Sequence, residues 1–293
     1  MVNLFQQGIR LQLKGYLYII AAAGLWGILG PFSRLAFSQG LAPMEVAFWR
    51  AALAWGFFGT HALVTKTVRL RLQDIPMVLL FAITGVTLFY GSYQMAIRTG
   101  GAAVAAVLLY TAPAWVAVLA RFAFRELFTP AKVLALVLTL LGVFCVAWGG
   151  GTIEVTLPSL AFGLAAGFCY SLYYIFGKYF SSRYTSPNLF LYLLPIGALT
   201  LLPWVDFAAK SLTAWGALIC IAALSTYGAY FCYYQGVRHL EASRAAIAAT
   251  LEPVIAALVA FVWWGEAFNF AGYVGSAMIL AAVLLMVFDR RTG

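Results

Sequence analysis

Apolar stretches of about 20 residues follow one another along the whole chain, and short polar connections separate them. A helix needs about 20 mostly apolar residues to cross the hydrocarbon core of a bilayer. The pattern therefore predicts an all-α, polytopic membrane protein of ten transmembrane helices. The predicted spans are residues 15–35, 44–64, 75–97, 102–124, 131–148, 159–180, 188–204, 212–237, 243–264 and 270–288. The first stretch is interpreted as a retained span and not as a cleaved signal peptide, whose apolar core would be shorter.

Composition excludes soluble globular proteins and disordered chains. Hydrophobic residues make up 64% of the sequence and charged residues 9%, whereas a soluble domain is about 45–50% apolar and about 25% charged. Disorder requires low hydrophobicity and high charge, which is the opposite pattern. The four cysteines all lie in apolar stretches without a CxxC partner, and are Cys145, Cys169, Cys220 and Cys232. Neither a disulfide framework nor a metal site is predicted.

The net charge of +9 reflects membrane topology. If the N-terminus is cytoplasmic, 14 of the 18 basic residues fall on the cytoplasmic side, as the positive-inside rule requires. They are Arg10, Lys14, Lys66, Arg69, Arg71, Arg121, Arg125, Lys132, Lys178, Arg183, Arg238, Arg244, Arg290 and Arg291, and the other four are Arg34, Arg50, Arg98 and Lys210. Both termini are therefore predicted to be cytoplasmic. The lipid bilayer is the expected partner, and no nucleic acid is needed to explain the charge.

The chain contains an internal repeat of five spans. The mated residues, 140 to 144 positions apart, are Arg34 with Lys178, Pro43 with Pro187, Gln94 with Gln235, Pro113 with Pro253, and Glu126 with Glu266. We expect residues 1–150 and 151–293 to form the two repeats. Because five is an odd number, the second repeat must enter the membrane in the opposite sense. Inverted repeats are typical of secondary transporters that work by alternating access, although a duplication kept only for packing is an alternative.

Several motifs resemble those of one transporter family. The run RHLEASRAAIAATLEPVIAALVAFVWWGEAFNFAGYVGSAMILAAVLLM, its first-half counterpart YTAPAWVAVLARFAFRE, and the WG of GLWGILGPFSRLAF resemble the EamA family of the drug/metabolite transporter superfamily. The resemblance implies ten helices in a bacterial inner membrane and export of small metabolites. The aromatic-rich spans are most similar to the branch that exports aromatic amino acids. The chain departs from the family at Arg125, where glycine is usual, and has Ala112 where the second half has Glu252.

Polar side chains inside the spans are the first candidates for a site, because a charge at mid-bilayer costs about 2.5–3.5 kcal/mol. Glu252 lies in the ninth span before a proline, where it could carry a coupling proton or meet a substrate ammonium. Its alternative role is that of a structural carboxyl beside a kink. The mated Gln94 and Gln235 suit a neutral polar ligand or a helix–helix hydrogen bond. Arg50 is interpreted as an arginine that snorkels to the outer interface.

Aromatic side chains complete the predicted substrate site. The rings chosen from the spans are Trp26, Tyr90, Tyr110, Tyr173 and Tyr230. Such rings would accept an apolar or aromatic side chain and could hold an ammonium by cation–π contact. The alternative is that they pack in the core or face lipid. Three prolines inside spans are predicted hinges, with packing as their alternative, and are Pro31, Pro113 and Pro253.

These features predict a secondary transporter that exports amino acids with large neutral or aromatic side chains. The sequence contains no ATP-binding P-loop, nucleophile elbow or paired metal-binding histidines, so we expect no cofactor, no metal and no enzymatic activity. Export of other amphipathic or cationic compounds is the main alternative, and an intramembrane enzyme or a channel is a weaker one. Proton-coupled and facilitated transport are both compatible with the sequence, and the oligomeric state is left open.

Overall fold

The computed structural model describes residues 2–148, 156–265 and 269–289, and it is helical throughout its regular elements. The α-helices are α1 Val2–Gly27, α2 Leu29–Ser38, α3 Pro43–Val64, α4 Ile75–Ala82, α5 Phe89–Leu109, α6 Ala112–Phe124, α7 Pro130–Trp148, α8 Leu157–Ser181, α9 Ser186–Leu201, α10 Leu212–Cys220, α11 Ala229–Val237, α12 Ala242–Ala249, α13 Glu252–Trp264 and α14 Phe270–Phe288. Short 3₁₀ turns occupy Leu72–Asp74 and Leu202–Trp204. The predicted all-α class is confirmed.

Nine helical segments of this described part are long and apolar enough to cross a membrane. Helix α3 has 22 residues and completes the set of ten. Several spans consist of two helices separated by a break, as in α1 with α2, α5 with α6, and α12 with α13. The predicted hinge prolines lie in the first turns after these three breaks, at Pro31, Pro113 and Pro253.

Residues 98–101 are predicted to connect the third and fourth spans. Their backbone is helical and belongs to α5, but the chain reverses its direction along α8 there, because Phe89 stacks on Tyr170, Gly100 lies against Ser159, and Leu108 returns to Gly163. The turn packs on the start of α8, where a Cβ on Gly100 would clash with the Ser159 side chain. The Thr156 hydroxyl also donates to the Thr99 carbonyl at 3.1 Å. In the second repeat the corresponding turn is present, since α11 ends at Val237 and α12 begins at Ala242.

Glu126 holds the start of α12 in place. Its carboxylate accepts hydrogen bonds from the backbone N–H of Ala242 at 2.7 Å and of Ser243 at 3.3 Å, and from the Ser243 hydroxyl. A carboxylate at a helix N-terminus satisfies free N–H groups and complements the helix dipole. Lys132 joins this cluster through Glu241 at 3.1 Å. Glu126 of the first repeat thus fixes a helix of the second, while its mate Glu266 lies outside the described residues.

Two π-helices are features that the hydrophobic pattern does not predict. They span Ile83–Leu88, between α4 and α5, and Ile221–Gly228, between α10 and α11. Their positions correspond in the two repeats. π-Helices are rare and occur frequently at functional sites.

Helices α7 and α14 cross at two glycines, Gly142 and Gly275, whose backbones are in close contact. Small residues allow such approach between helices in lipid. We expect Gly275→Ala to lower the midpoint of thermal unfolding in detergent, because its Cβ would collide with the backbone of Gly142 and Val146. Overpacking of this kind costs ~1–3 kcal/mol. The control is Gly216→Ala on α10, whose Cβ would meet no atom within 4 Å. An unchanged midpoint for Gly275→Ala would contradict the tight crossing.

Candidate functional site

Aromatic side chains from four helices converge in the middle of the bundle around one arginine and one glutamate. We call this group the aromatic chamber. Its rings are Trp26 of α1, Tyr90 and Tyr93 of α5, Tyr110 at the end of α5, Tyr170, Tyr173 and Tyr174 of α8, and Tyr230 and Tyr233 of α11. Its charged residues are Arg50 of α3 and Glu252 of α13. The chamber therefore draws on helices from both repeats.

Ring contacts connect three of the predicted substrate-binding residues directly. Trp26 meets Tyr230 edge to face, with 5.5 Å between ring centroids. Tyr230 in turn stacks on Tyr173 at 5.4 Å with an interplanar angle of 10°. Such aromatic pairs stabilise one another beyond simple area burial. The structure thus places Trp26, Tyr173 and Tyr230 in one wall.

Arg50 is a chamber residue and does not snorkel. Only 8% of its surface is exposed, although it lies about two turns inside α3. Its Nε donates a hydrogen bond to Thr226 Oγ1 at 2.9 Å, and its Cζ lies 5.5 Å from the centroid of the Tyr90 ring. The sequence held a signal for this position, because Ala47 and Ala54 share its helix face and small residues mark a face that packs on other helices.

Glu252 faces the same chamber from the opposite repeat. It is the first residue of α13, directly after the break at Thr250 and Leu251, and a carboxylate is favourable at a helix start. Arg50 and Tyr110 are the chamber groups that act on its carboxylate. Glu252 is half-buried.

The three helix breaks all carry chamber residues. Trp26 lies just before the break between α1 and α2, Tyr110 lies in the break between α5 and α6, and Glu252 follows the break between α12 and α13. Irregular backbone in a membrane is tolerated only where it is buried in protein or lines a cavity. Discontinuous helices form the substrate sites of many secondary transporters. The breaks therefore mark the chamber as the candidate site.

The predicted glutamines are less informative. Gln235 is half-buried on α11, and the side chain of Gln94 lies outside the described residues. Among the residues that the structure describes, no group of His, Cys, Asp or Glu could hold a metal ion. The two opposite charges are the main chemistry of the chamber.

The two charged residues of the chamber have uncharged residues at the mated positions of the other repeat. The repeat mate of Arg50 is Leu194, at an offset of 144, and the mate of Glu252 is Ala112, at an offset of 140. A symmetric frame thus holds one cationic group on the first repeat and one anionic group on the second. A ligand with both charges would be held in a single orientation between the repeats.

A second ion pair lies at the end of the bundle formed by residues 39–45 and 202–211. Lys210 Nζ is 2.5 Å from Glu45 Oε1, within a group of rings that includes Trp49 at 5.2 Å. Glu45 also accepts from the Ala208 N–H at 3.3 Å. This pair binds the loop before α10 to the start of α3, and its charges are already satisfied within the protein.

Known proteins match this chain over nearly its whole length. The model of the EamA-like transporter family matches residues 13–148 and, a second time, residues 157–288. An uncharacterized transporter of Archaeoglobus fulgidus is 24% identical, over 95% of this chain and 100% of its own length. The uncharacterized inner membrane transporter YicL of Salmonella typhimurium is 25% identical, over 95% of this chain and 96% of its own length.

Another relative and one solved structure add detail. A protein of Streptantibioticus cattleyicolor named "Probable terminal-alkyne amino-acid exporter" is 27% identical, over 86% of this chain and 83% of its own length. A crystal structure of a protein matches with a TM-score of 0.82 at 16% identity, covering 94% of this chain and 96% of that one. The structural likeness shows the fold alone. The double match of the family model confirms the internal repeat.

Proposed function

The chain belongs to the EamA-like transporter family, and from this premise we propose that it is a secondary transporter that exports amino acids with aromatic or large neutral side chains. It is a multi-pass membrane transporter of small molecules. The finer assignment rests on the aromatic chamber. Arg50 and Glu252 carry opposite charges and act on each other within a group of aromatic rings. This pairing is the single observation that carries the proposal.

A zwitterionic amino acid complements the chamber group by group. Arginine binds carboxylate through two parallel N–H donors, and a carboxylate beside aromatic faces holds an ammonium by charge and cation–π attraction. The remaining wall of Trp26, Tyr173 and Tyr230 suits an apolar or aromatic side chain. The printed name of the Streptantibioticus relative, an amino-acid exporter, supports this class of cargo, and Tyr90, Tyr110, Gln94 and Gln235 complete the proposed site.

Alternating access would move the two repeats, residues 1–150 and 151–293, relative to each other. Arg50 belongs to the first and Glu252 to the second, so a bound zwitterion would join them and could stabilise an occluded state. The breaks before Pro31, Pro113 and Pro253 lie beside the chamber and would serve as hinges. A proton could couple the cycle through Glu252, whereas facilitated efflux would need no coupling.

We further propose that the protein lies in a bacterial inner membrane with both termini in the cytoplasm. The end of the bundle with residues 65–71, 125–129, 182–185 and 238–241 collects most of the basic loop residues, as a cytoplasmic face does. The Salmonella relative is named as an inner membrane transporter, in agreement with this assignment. No catalytic role is part of the proposal.

Export of organic cations is the second candidate, favoured by Glu252 and the surrounding rings. Arg50 opposes it, because a buried positive charge in the same chamber repels a cargo that carries no carboxylate. Carboxylate-free amines therefore separate the two candidates when they are tested beside amino acids.

We expect purified protein in liposomes that contain unlabelled phenylalanine to take up labelled phenylalanine by saturable counterflow. Counterflow requires a carrier that binds the cargo on both sides, so saturation also excludes a simple channel. Protein-free liposomes are the control, and phenethylamine and 3-phenylpropionate are the competitors. Absence of counterflow from folded protein would remove aromatic amino acids as the cargo. Counterflow of phenethylamine in place of phenylalanine would favour the cation exporter.

A further inference from the structure

We infer that Thr226, held in the π-helix Ile221–Gly228, is the positioning residue that orients Arg50 and so makes a carboxylate a requirement of the cargo. The inference rests on the proposed function, since it assigns a specificity determinant to the same site. Thr226 carries no charge and is only 1% exposed. It therefore acts through Arg50, whose guanidinium it contacts.

The hydrogen bonds of the Thr226 hydroxyl fix its direction. Its single hydrogen is donated to the carbonyl of Ile221 at 3.1 Å. The oxygen must then act as the acceptor for Arg50 Nε, which lies at 2.9 Å. A hydroxyl with its proton committed elsewhere offers the guanidinium only a lone pair. Thr226 thus holds Nε in one orientation.

The π-helix is what makes this geometry possible. The Thr226 hydroxyl reaches a carbonyl five residues earlier, whereas the hydroxyls of Thr60 and Thr99, which lie in α-helices, bond the carbonyl four residues earlier. The wider turn of the π-helix presents the threonine at a different angle from that of an ordinary helical position. The side chain consequently points across to α3, where Arg50 lies.

Tethering Nε leaves the two terminal nitrogens of Arg50 on the chamber side. The guanidinium carbon lies 5.5 Å from the centroid of the Tyr90 ring, and Glu252 is the charged group that acts on Arg50. The two terminal nitrogens of a guanidinium can bind the two oxygens of a carboxylate through parallel hydrogen bonds. Preorganisation of this kind raises affinity without adding a contact to the ligand. The corresponding residue of the first repeat is Val86, at an offset of 140, which cannot form such a tether.

The test compares Thr226→Val, which keeps the shape and removes the hydroxyl, with Thr226→Ser, which keeps the hydroxyl. We expect Thr226→Val to raise the KM of phenylalanine counterflow about tenfold and to leave the maximal rate within about twofold, as the loss of one hydrogen bond to a charged group predicts. Thr226→Ser should restore the KM. Inhibition by phenethylamine, which lacks a carboxylate, should change little in both variants.

Thr84→Val is the matched control, because Thr84 lies in the other π-helix and bonds only the carbonyl of Leu80 in its own helix. If Thr226→Val does not fold, Thr226→Ala removes the hydroxyl without a branched side chain and gives the same comparison. A normal KM in the Val and Ala variants, together with loss of transport in Arg50→Gln, would overturn the positioning role and leave the proposed function intact. Normal transport in the Arg50 and Thr226 variants alike would refute the proposed site. A lower maximal rate with an unchanged KM would show that Thr226 is only structural.

Discussion

Arg50→Gln should lower the apparent affinity for phenylalanine at least about 100-fold in counterflow. A charge-assisted, desolvated pair that loses one partner costs about 2–5 kcal/mol, and about 2.7 kcal/mol corresponds to 100-fold. Arg50→Lys should lose about tenfold, because lysine keeps the charge but has neither the planar fork nor an Nε for Thr226. The measurement is the concentration dependence of counterflow with each variant reconstituted at equal protein content.

Competition by analogues separates binding from folding in this experiment. Phenethylamine lacks the carboxylate, so its inhibition should persist in Arg50→Gln while inhibition by 3-phenylpropionate disappears. Arg121→Gln is the control for the loss of one positive charge, because Arg121 is exposed in the last turn of α6, whereas the chamber lies beside the start of that helix. Equal phenylalanine affinity in wild type and Arg50→Gln would show that the carboxylate binds elsewhere.

The sequence predicted the frame of the site better than its chemistry. Helix breaks beside Pro31, Pro113 and Pro253 follow from the missing backbone N–H of proline. This property of proline does not depend on tertiary contacts, so the breaks can be predicted from the sequence. Arg50 was misjudged because hydropathy treats an arginine near a span end as a residue that can reach water. Its burial depends on partners from distant helices. Thr226, which is 176 residues away from it, leaves no mark in the local pattern.

The π-helices escaped prediction for a related reason. Their sequences, ITGVTL and IAALSTYG, are apolar and small, as ordinary membrane helices are. A π-helix differs from an α-helix by one extra residue in a turn, and tertiary contacts decide where that residue is accommodated. The inverted repeat itself was visible, because prolines and glutamates recur at a nearly constant offset. Symmetry pointed to the breaks beside Pro113 and Pro253, while the charges of the proposed site lie where the two repeats differ.

Glu252→Gln should lower phenylalanine affinity about 30-fold or more, since the amide keeps the size of the side chain and removes the charge that meets the ammonium. Glu252→Gln should change the inhibition by the two analogues in the opposite way from Arg50→Gln. Inhibition by 3-phenylpropionate should persist or strengthen, because this analogue has no ammonium to lose, whereas inhibition by phenethylamine should disappear. A variant that binds both analogues as wild type does would place the ammonium away from Glu252.

The same variant decides whether Glu252 also carries a coupling proton. Phenylalanine has no net charge at neutral pH, so a membrane potential can act on its transport only through a coupled ion. One charge that crosses 100 mV contributes about 2.3 kcal/mol, enough for about 50-fold accumulation. If Glu252 carries the proton, Glu252→Gln at saturating phenylalanine should still perform counterflow but lose accumulation driven by an imposed proton gradient. Accumulation and pH dependence equal to those of wild type would assign coupling to another group, and absence of accumulation in the wild type itself would establish facilitated efflux.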